Sequence, residues 1–162
     1  MWIAIFGLSI SSSWGNGHAT LWRGLVRALG EAGHRVTFFE RDERWYAARR
    51  DLIALGGLDL VLYAAWPEVR ARADRTLASC DAAIVTSYCP DARAASALVL
   101  GSRAPRRIFY DLDSPVTLER VDRGEDVEYL PLDGLGAFDR VLSFAGGPTL
   151  DALAARLGAR RV

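Results

Sequence analysis

His18 is the residue of this sequence best placed to act as a base. It directly follows a segment rich in serine and glycine, which consists of Ser12, Ser13, Trp14, Gly15, Asn16 and Gly17. The helical apolar spacing that follows places His18 at a helix N-terminus, where the dipole favours neutral imidazole. Glycines let a ligand approach the backbone closely, and free helix amides attract anions. We therefore predict that His18 is a general base and that the six preceding residues contact a ligand.

Simpler interpretations of the same residues stay open. The segment is also what an ordinary surface loop looks like, and His18 could cap or pack against its own helix. The segment is not a dinucleotide-binding fingerprint, because Thr20 stands where the third glycine is required. The second histidine, His34, lies in a predicted turn between a helix and a strand, and we expect it at the surface or at a helix end.

Asp111 and Asp113 follow a later predicted strand. Side chains two residues apart in an extended segment point the same way, so both carboxylates are expected to face one cleft. A carboxylate beside a histidine orients the ring and stabilises its protonated form, which makes both aspartates candidate catalytic partners of His18. Alternatively, one of them caps the next helix, a role that we expect Ser114 to take. A magnesium site has only weak support from two aspartates.

Two further loops follow predicted strands and could line the same site. Tyr88 directly follows the fourth predicted strand, three residues before Asp91, which we expect to cap a helix. After the last strand, Gly146, Gly147 and Thr149 form a turn that leads into a helix. Such a turn can hold a phosphate, although a plain connection is an equal alternative. We include Tyr88, Ser114, Gly146, Gly147 and Thr149 among the predicted substrate-binding residues.

A cluster of arginines lies between the second and third predicted strands, at Arg41, Arg44, Arg49 and Arg50. Trp45 and Tyr46 lie among them, and arginine with aromatic side chains is a combination that stacks on nucleotides. Three acidic residues dilute the positive charge, however. We therefore favour a solvated helix face over nucleotide binding.

The elements that must position these residues alternate between short apolar strands and helix-length segments. We predict strands at residues 2–8, 35–40, 58–63, 82–87, 107–110 and 140–144, and helices between them, one of them at 52–55. This order predicts the α/β class: a single domain over 1–162 with a doubly wound, Rossmann-like parallel sheet of about six strands and helices on both faces. Ligands bind such sheets at the carboxyl ends of the strands, which is where the residues above lie.

Composition excludes several classes of function. Twenty basic residues balance twenty acidic ones, so nucleic acid and anionic membrane surfaces are not expected partners. Every basic residue is arginine, which excludes mechanisms that need a lysine. Two cysteines are too few for a disulfide framework, and no signal peptide or membrane span is evident. We therefore expect a cytoplasmic domain without a metal site.

Five blocks of the sequence resemble the N-terminal half of GT-B glycosyltransferases, in particular the bacterial spore-maturation-protein-like group. The resemblance covers nearly the whole chain. The blocks are Ile5-Phe6-Gly7-Leu8-Ser9, Ser13-Trp14-Gly15-Asn16-Gly17-His18-Ala19-Thr20, Glu40-Arg41-Asp42 with Trp45-Tyr46-Ala47, Tyr110-Asp111-Leu112-Asp113-Ser114-Pro115-Val116-Thr117-Leu118, and Ser143-Phe144-Ala145-Gly146-Gly147-Pro148-Thr149-Leu150.

The resemblance implies a metal-independent enzyme in which this domain holds a small-molecule or glycan acceptor. A second, C-terminal domain would bind the nucleotide-sugar donor, which is a substrate and not a resident cofactor. In several such families a histidine of the first loop deprotonates the acceptor, steadied by an aspartate after a later strand. His18 and Asp111 or Asp113 match these positions. No donor-binding domain lies within 1–162, so we expect this chain to fold alone but not to transfer sugar alone.

Two rival functions remain open from the sequence. One is a non-catalytic, Rossmann-like module that binds a ligand or a partner. The other is a nucleotide-dependent oxidoreductase, with Glu40 at the end of the second strand reaching a ribose. The missing third glycine counts against the oxidoreductase.

Overall fold

The computed structural model describes all residues from 1 to 162 and contains one parallel sheet of six strands. The strand order is β3-β2-β1-β4-β5-β6. This arrangement confirms the predicted α/β, Rossmann-like fold, and each strand lies within one residue of its predicted bounds. The strands are β1 (Trp2–Gly7), β2 (Arg35–Arg41), β3 (Leu58–Tyr63), β4 (Ala82–Thr86), β5 (Arg107–Asp111) and β6 (Arg140–Ser143).

Six helices connect and follow these strands. They are α1 (Gly17–Glu31), α2 (Arg44–Ala47), α3 (Trp66–Leu77), α4 (Ala92–Leu100), α5 (Ser114–Asp122) and α6 (Pro148–Leu157). None of them is long and apolar enough to cross a membrane.

The winding direction of the sheet reverses at β1. Strands β2 and β3 lie to one side of β1, and β4, β5 and β6 lie to the other. Strands β1 and β4 pair directly, with Phe6 opposite Val85 near their carboxyl ends. The loops after these two strands therefore diverge and leave a crevice at the topological switch point, where ligands bind in such folds.

Successive side chains along the strands pack on opposite faces of the sheet, in two separate hydrophobic cores. Ile3 and Ile5 of β1 pack with Trp22 and Val26 of α1 on one face of the sheet. The intervening strand residues face the opposite core, which also receives side chains from α3, α4, α5 and α6. This two-residue period and the four-residue spacing on the helices are the patterns that predicted the fold.

The predicted helix at residues 52–55 was wrong. These residues have no regular secondary structure, and the single turn of helix in this connection is α2 instead. The backbone N–H groups of Asp51 and Leu52 both donate to the carbonyl of Ser11, at 3.1 and 3.2 Å. These bonds tie the segment to the β1–α1 loop, and four residues are too few to form a stable helix against that constraint.

The arginine cluster also differs from the predicted helix face. Arg44 alone lies in α2, whereas Arg41 pairs with Glu43 and Asp91, and Arg50 pairs with Asp42. The remaining arginine, Arg49, stacks on an aromatic ring that is described below. Two of the four arginines, Arg41 and Arg50, therefore form local ion pairs, and the cluster does not make up one helix face.

Two predicted helix caps have other roles. Asp91 lies at the N-cap of α4, but its carboxylate accepts a hydrogen bond from the Tyr63 hydroxyl at 3.0 Å and makes no cap bond. Ser114 is the first residue of α5 and lies inside the fold, where its hydroxyl is 2.8 Å from that of Ser143. The N-cap position of α5 belongs to Asp113, whose side chain makes no cap bond.

Candidate functional site

The loop between β1 and α1 (residues 8–16, the serine loop) is held from beneath by Glu40. This glutamate lies near the end of β2 and is fully buried. Its carboxylate accepts hydrogen bonds from the backbone N–H groups of Ile10 and Ser11, at 2.8 and 2.9 Å, and from the hydroxyls of Ser9 and Ser11. Four donors therefore converge on one buried carboxylate, which fixes the loop to the sheet.

The same bonds remove Glu40 from ligand binding. Both of its oxygens are occupied by the serine loop, so neither is free to hold a ribose. This arrangement is evidence against the oxidoreductase alternative, which required that contact.

Two predicted ligand-binding residues of the serine loop are also internal. Ser12 is buried, and its hydroxyl donates to the carbonyl of Arg49 at 2.8 Å. Asn16 is buried as well; its side chain accepts from the His18 backbone N–H at 3.0 Å and so caps α1. Both side chains therefore shape the loop.

The other four predicted ligand-binding residues here reach the surface. They are Ser13, Trp14, Gly15 and Gly17. Ser13 donates twice to Asp51, through its backbone N–H and its hydroxyl, and the guanidinium of Arg49 lies 4.0 Å from the centre of the Trp14 ring. Gly15 has a φ of 58°, a left-handed conformation that favours glycine. These four residues stay accessible to solvent, and Arg49 and Asp51 hold this part of the loop in place.

His18 itself is half-buried at the first turn of α1. Its Nδ1 is buried without a hydrogen-bond partner, and Nε2 makes no hydrogen bond within the protein. Burial lowers the pKa of the imidazole, and the negative charge of Asp113 opposes part of that shift. The ring is therefore neutral at pH 7 and has a lone pair available, which is the state that a general base needs.

Tyr88 lies against His18 in a strained backbone conformation. Its φ of 62° makes it the one residue other than glycine with a positive φ, a strain that costs about 1–3 kcal/mol. The ring meets His18 edge-on with centres 5.3 Å apart and packs on Tyr129 at 4.8 Å. The hydroxyl lies 3.5 Å from a carboxylate oxygen of Asp113. Tyr88 therefore contacts both the histidine ring and the aspartate carboxylate, and its predicted contact with a substrate stays a prediction.

The two aspartates after β5 occupy different environments. Asp113 is half-buried and is the carboxylate whose charge acts on His18. Asp111 is fully buried; one of its oxygens accepts from the Thr117 hydroxyl at 3.0 Å and the Asp113 N–H at 3.2 Å, and the other has no partner. No hydrogen bond joins Asp111 to His18. Asp111 is thus enclosed while Asp113 is partly accessible, so the expectation that both carboxylates face one open cleft is wrong.

The glycine turn after β6 is exposed at the same edge of the sheet. Gly147 has a φ of 61° and precedes α6, and Gly146 and Gly147 are both accessible. Thr149 is half-buried in the first turn of α6, while Ser114 is enclosed below, next to Ser143. None of these residues lines the depression beside His18 or forms a hydrogen bond with its ring.

An open depression of about 440 Å³ adjoins the histidine. We call it the His18 depression. Four of its lining residues, Thr20, Leu21, Leu112 and Phe144, were not predicted as site residues. Leu112 and Phe144 directly follow β5 and β6, where ligands bind in this fold. The lining residues are Gly17, His18, Thr20, Leu21, Leu112 and Phe144.

No three histidine, cysteine, aspartate or glutamate side chains converge to hold a metal ion. The chemistry that this arrangement supports is proton abstraction by a neutral imidazole, with a carboxylate nearby to stabilise the resulting positive charge.

No protein-family model matches this chain, and no curated protein matches it. The function is therefore inferred from the site and from the sequence blocks described above.

The buried Asp111 gives a pH-dependent prediction. Burial raises its pKa above the ordinary value of 3.8, so protonation favours the folded state. The stability that this group contributes is complete below about pH 3.8 and is lost as the pH rises through its pKa in the folded protein. Asp111→Asn removes the charged form, so the free energy of unfolding of the variant should rise relative to that of the wild type as the pH increases from 4 to 7.

Urea unfolding at several pH values between 4 and 7 measures this difference. The gap between variant and wild type should widen as the pH rises. A gap that stays constant over this range would contradict the prediction.

Proposed function

We propose that residues 1–162 form the acceptor-binding domain of a GT-B glycosyltransferase, in which His18 is the general base. The observation that carries the proposal is the state of His18: a neutral imidazole, without a hydrogen-bond partner, beside an open depression. The resemblance of the sequence to such enzymes supplies the class of reaction.

The location of His18 supports this role. It begins α1 directly after the serine loop, and the loop after β4 brings Tyr88 against it. Strands β1 and β4 are the neighbours between which the winding of the sheet reverses. A substrate in this crevice would meet the histidine and the loops after β5 and β6 together.

In the proposed reaction, His18 accepts the proton of an acceptor hydroxyl through Nε2. The hydroxyl oxygen forms a bond to the anomeric carbon of the donor sugar. The bond from that carbon to the nucleoside diphosphate breaks, and the diphosphate leaves with the electron pair. The imidazole becomes an imidazolium, which holds the proton released by the acceptor.

Asp113 and Tyr88 would stabilise and position the protonated form of His18. The carboxylate of Asp113 attracts the imidazolium, as its effect on the histidine pKa indicates. Tyr88 limits the movement of both groups by contacting the ring and the carboxylate. Asp111 would act indirectly. Its buried carboxylate accepts a hydrogen bond from the backbone N–H of Asp113 and so holds the turn that positions Asp113.

Other accessible residues fit substrate contacts in this proposal. Ser13, Trp14, Gly15 and Gly17 would border the acceptor, and Gly146, Gly147 and Thr149 lie where a second domain would present the donor. The donor is a nucleotide sugar, and no resident cofactor is required. We place the reaction in the cytoplasm, in keeping with the two free cysteines, Cys80 and Cys89.

Sugar transfer by the two-domain enzyme tests the proposal. Residues 1–162 are joined to the donor-binding domain that the proposal expects in the coding sequence after residue 162. This protein should transfer labelled sugar from a nucleotide sugar to an alcohol, and should do so in the presence of EDTA. Residues 1–162 alone are the matched control and should bind acceptor without turnover.

The binding-module alternative makes a different prediction for the same assay. Acceptor binding without transfer from any nucleotide sugar, in the two-domain protein, would favour that alternative and refute the proposal.

A further inference from the structure

We propose that the acceptor taken by this site is an uncharged alcohol with an aromatic or otherwise apolar body, seated in the His18 depression. The inference rests on the proposed function and adds the chemical class of the acceptor to it. Four observations carry it: the apolar composition of the walls, their lack of charge, the exposed ring of Phe144 and the presence of His18 in the lining.

The walls of the His18 depression are almost entirely carbon. Besides His18, the lining consists of Leu21 of α1, Leu112 after β5, Phe144 after β6, Gly17 and Thr20. The volume of about 440 Å³ lies within the range of roughly 300–1,000 Å³ that small-molecule sites occupy. A surface of this kind gains free energy by covering apolar atoms of a ligand.

The His18 depression also differs in charge from the other large depressions of the molecule. Four others, with volumes from about 260 to about 640 Å³, each have both an arginine and an acidic residue in their walls. The His18 depression has neither, and the nearby carboxylate of Asp113 repels anions. Phosphorylated or carboxylated acceptors therefore lack a counter-charge here.

Phe144 exposes an apolar ring that a bound ligand would cover. The residue is 73% exposed, although its backbone N–H donates to the carbonyl of Asp111 at 3.2 Å and so is fixed at the edge of the sheet. An aromatic ring on an anchored backbone offers a flat apolar face at little cost in conformational entropy.

A free sugar fits these walls poorly. Each hydroxyl that is buried against carbon without a hydrogen-bond partner loses its bonds to water, and a monosaccharide has several such groups. An alcohol with one hydroxyl can direct it to His18 and place its apolar body between Leu21 and Phe144. His18 and the Thr20 hydroxyl are the only polar side chains in a lining that is otherwise apolar, which favours an acceptor with few polar groups.

Binding of three small probes to the 162-residue protein tests the inference. The probes are 2-naphthol, 2-naphthoic acid and methyl β-D-glucopyranoside, followed by ¹H–¹⁵N NMR titration at pH 7. We expect 2-naphthol to bind at least about tenfold more tightly than either of the others. Its largest shifts should fall on Gly17, Thr20, Leu21 and Leu112.

Two substitutions locate the binding. Phe144→Ala should weaken 2-naphthol binding about tenfold, because the ring loses its apolar partner. Leu132→Ala is the matched control, since Leu132 is 84% exposed and lies outside the His18 depression. It should leave binding unchanged, and neither substitution removes a core side chain.

Three results would overturn the inference. They are preferred binding of the glucoside or the naphthoate, equal effects of the two substitutions, and loss of naphthol binding when a donor-binding domain is attached. In the last case the depression is a packing surface between domains.

These results are separable from a failure of the proposed function. If sugar transfer occurs and naphthol does not bind, the acceptor class is wrong and the reaction is right. If naphthol binds in the His18 depression and no sugar is transferred, the site is apolar as inferred, and the proposed reaction fails.

Discussion

Replacing Glu40 with alanine is expected to lower the free energy of unfolding by about 3–4 kcal/mol. The substitution leaves four donors inside the protein without an acceptor, of which two are the backbone N–H groups of Ile10 and Ser11. Each buried donor that loses its partner costs about 1–3 kcal/mol, and relaxation of the serine loop toward water recovers part of the sum. Urea denaturation at pH 7 measures the loss.

Two further variants separate the hydrogen bonds from other effects. Glu40→Gln keeps the shape and one acceptor oxygen, so it should lose about half as much as the alanine variant. Glu31→Ala removes an exposed glutamate at the end of α1 and should stay within about 0.5 kcal/mol of the wild type. If Glu40→Ala is no worse than Glu31→Ala, the carboxylate does not anchor the loop.

The fold could be predicted because its signals are local. In β1 nearly every residue is apolar, as a strand covered on both faces requires, and α1 repeats leucine every four residues at Leu21, Leu25 and Leu29. Strand and helix alternate at lengths that fit parallel pairing. These patterns act within a few residues, so a single sequence contains them.

The internal bonds of the site could not be predicted in the same way. Glu40 and Ser11 are 29 positions apart, and only the pairing of β1 with β2 brings the serine loop over the carboxylate. The sequence placed Glu40 correctly at the end of a strand but could not show that four donors would occupy it. Serines that look available for a ligand were therefore assigned to ligand binding, although Ser12 is internal.

Tyr88 shows a different limit of the sequence. Its position after β4 predicted a place in the site, and the structure puts its ring against His18. The left-handed backbone at Tyr88 carried no signal, because glycine or asparagine is the residue expected there. Strain of this kind is retained where the surroundings fix it, and here Tyr129 and Asp113 hold the side chain.

If the proposed function is right, replacing His18 with glutamine should reduce sugar transfer by the proposed two-domain enzyme about 100-fold, which corresponds to about 2.7 kcal/mol of transition-state stabilisation. Glutamine fills similar space but cannot take a proton from an alcohol. The matched control is His34→Gln, because His34 lies at the opposite end of the sheet with its Nδ1 3.1 Å from the N-terminal amine. That variant should keep normal turnover, and both proteins should unfold at similar urea concentrations.

The pH profile distinguishes a base from a residue that only supports the fold. Because burial lowers the pKa of His18 below 6.5, the decline of wild-type turnover in acid, where the imidazole gains a proton, should have its midpoint below pH 6.5. Asp113→Asn removes the charge that raises this pKa, so the decline should begin at lower pH. Turnover at higher pH, where His18 is neutral, should also be lower than in the wild type. His18→Gln should lose the decline altogether. An unchanged acid decline in His18→Gln, or near-normal turnover at pH 7, would remove His18 from the role of base and leave the apolar depression without its proton acceptor.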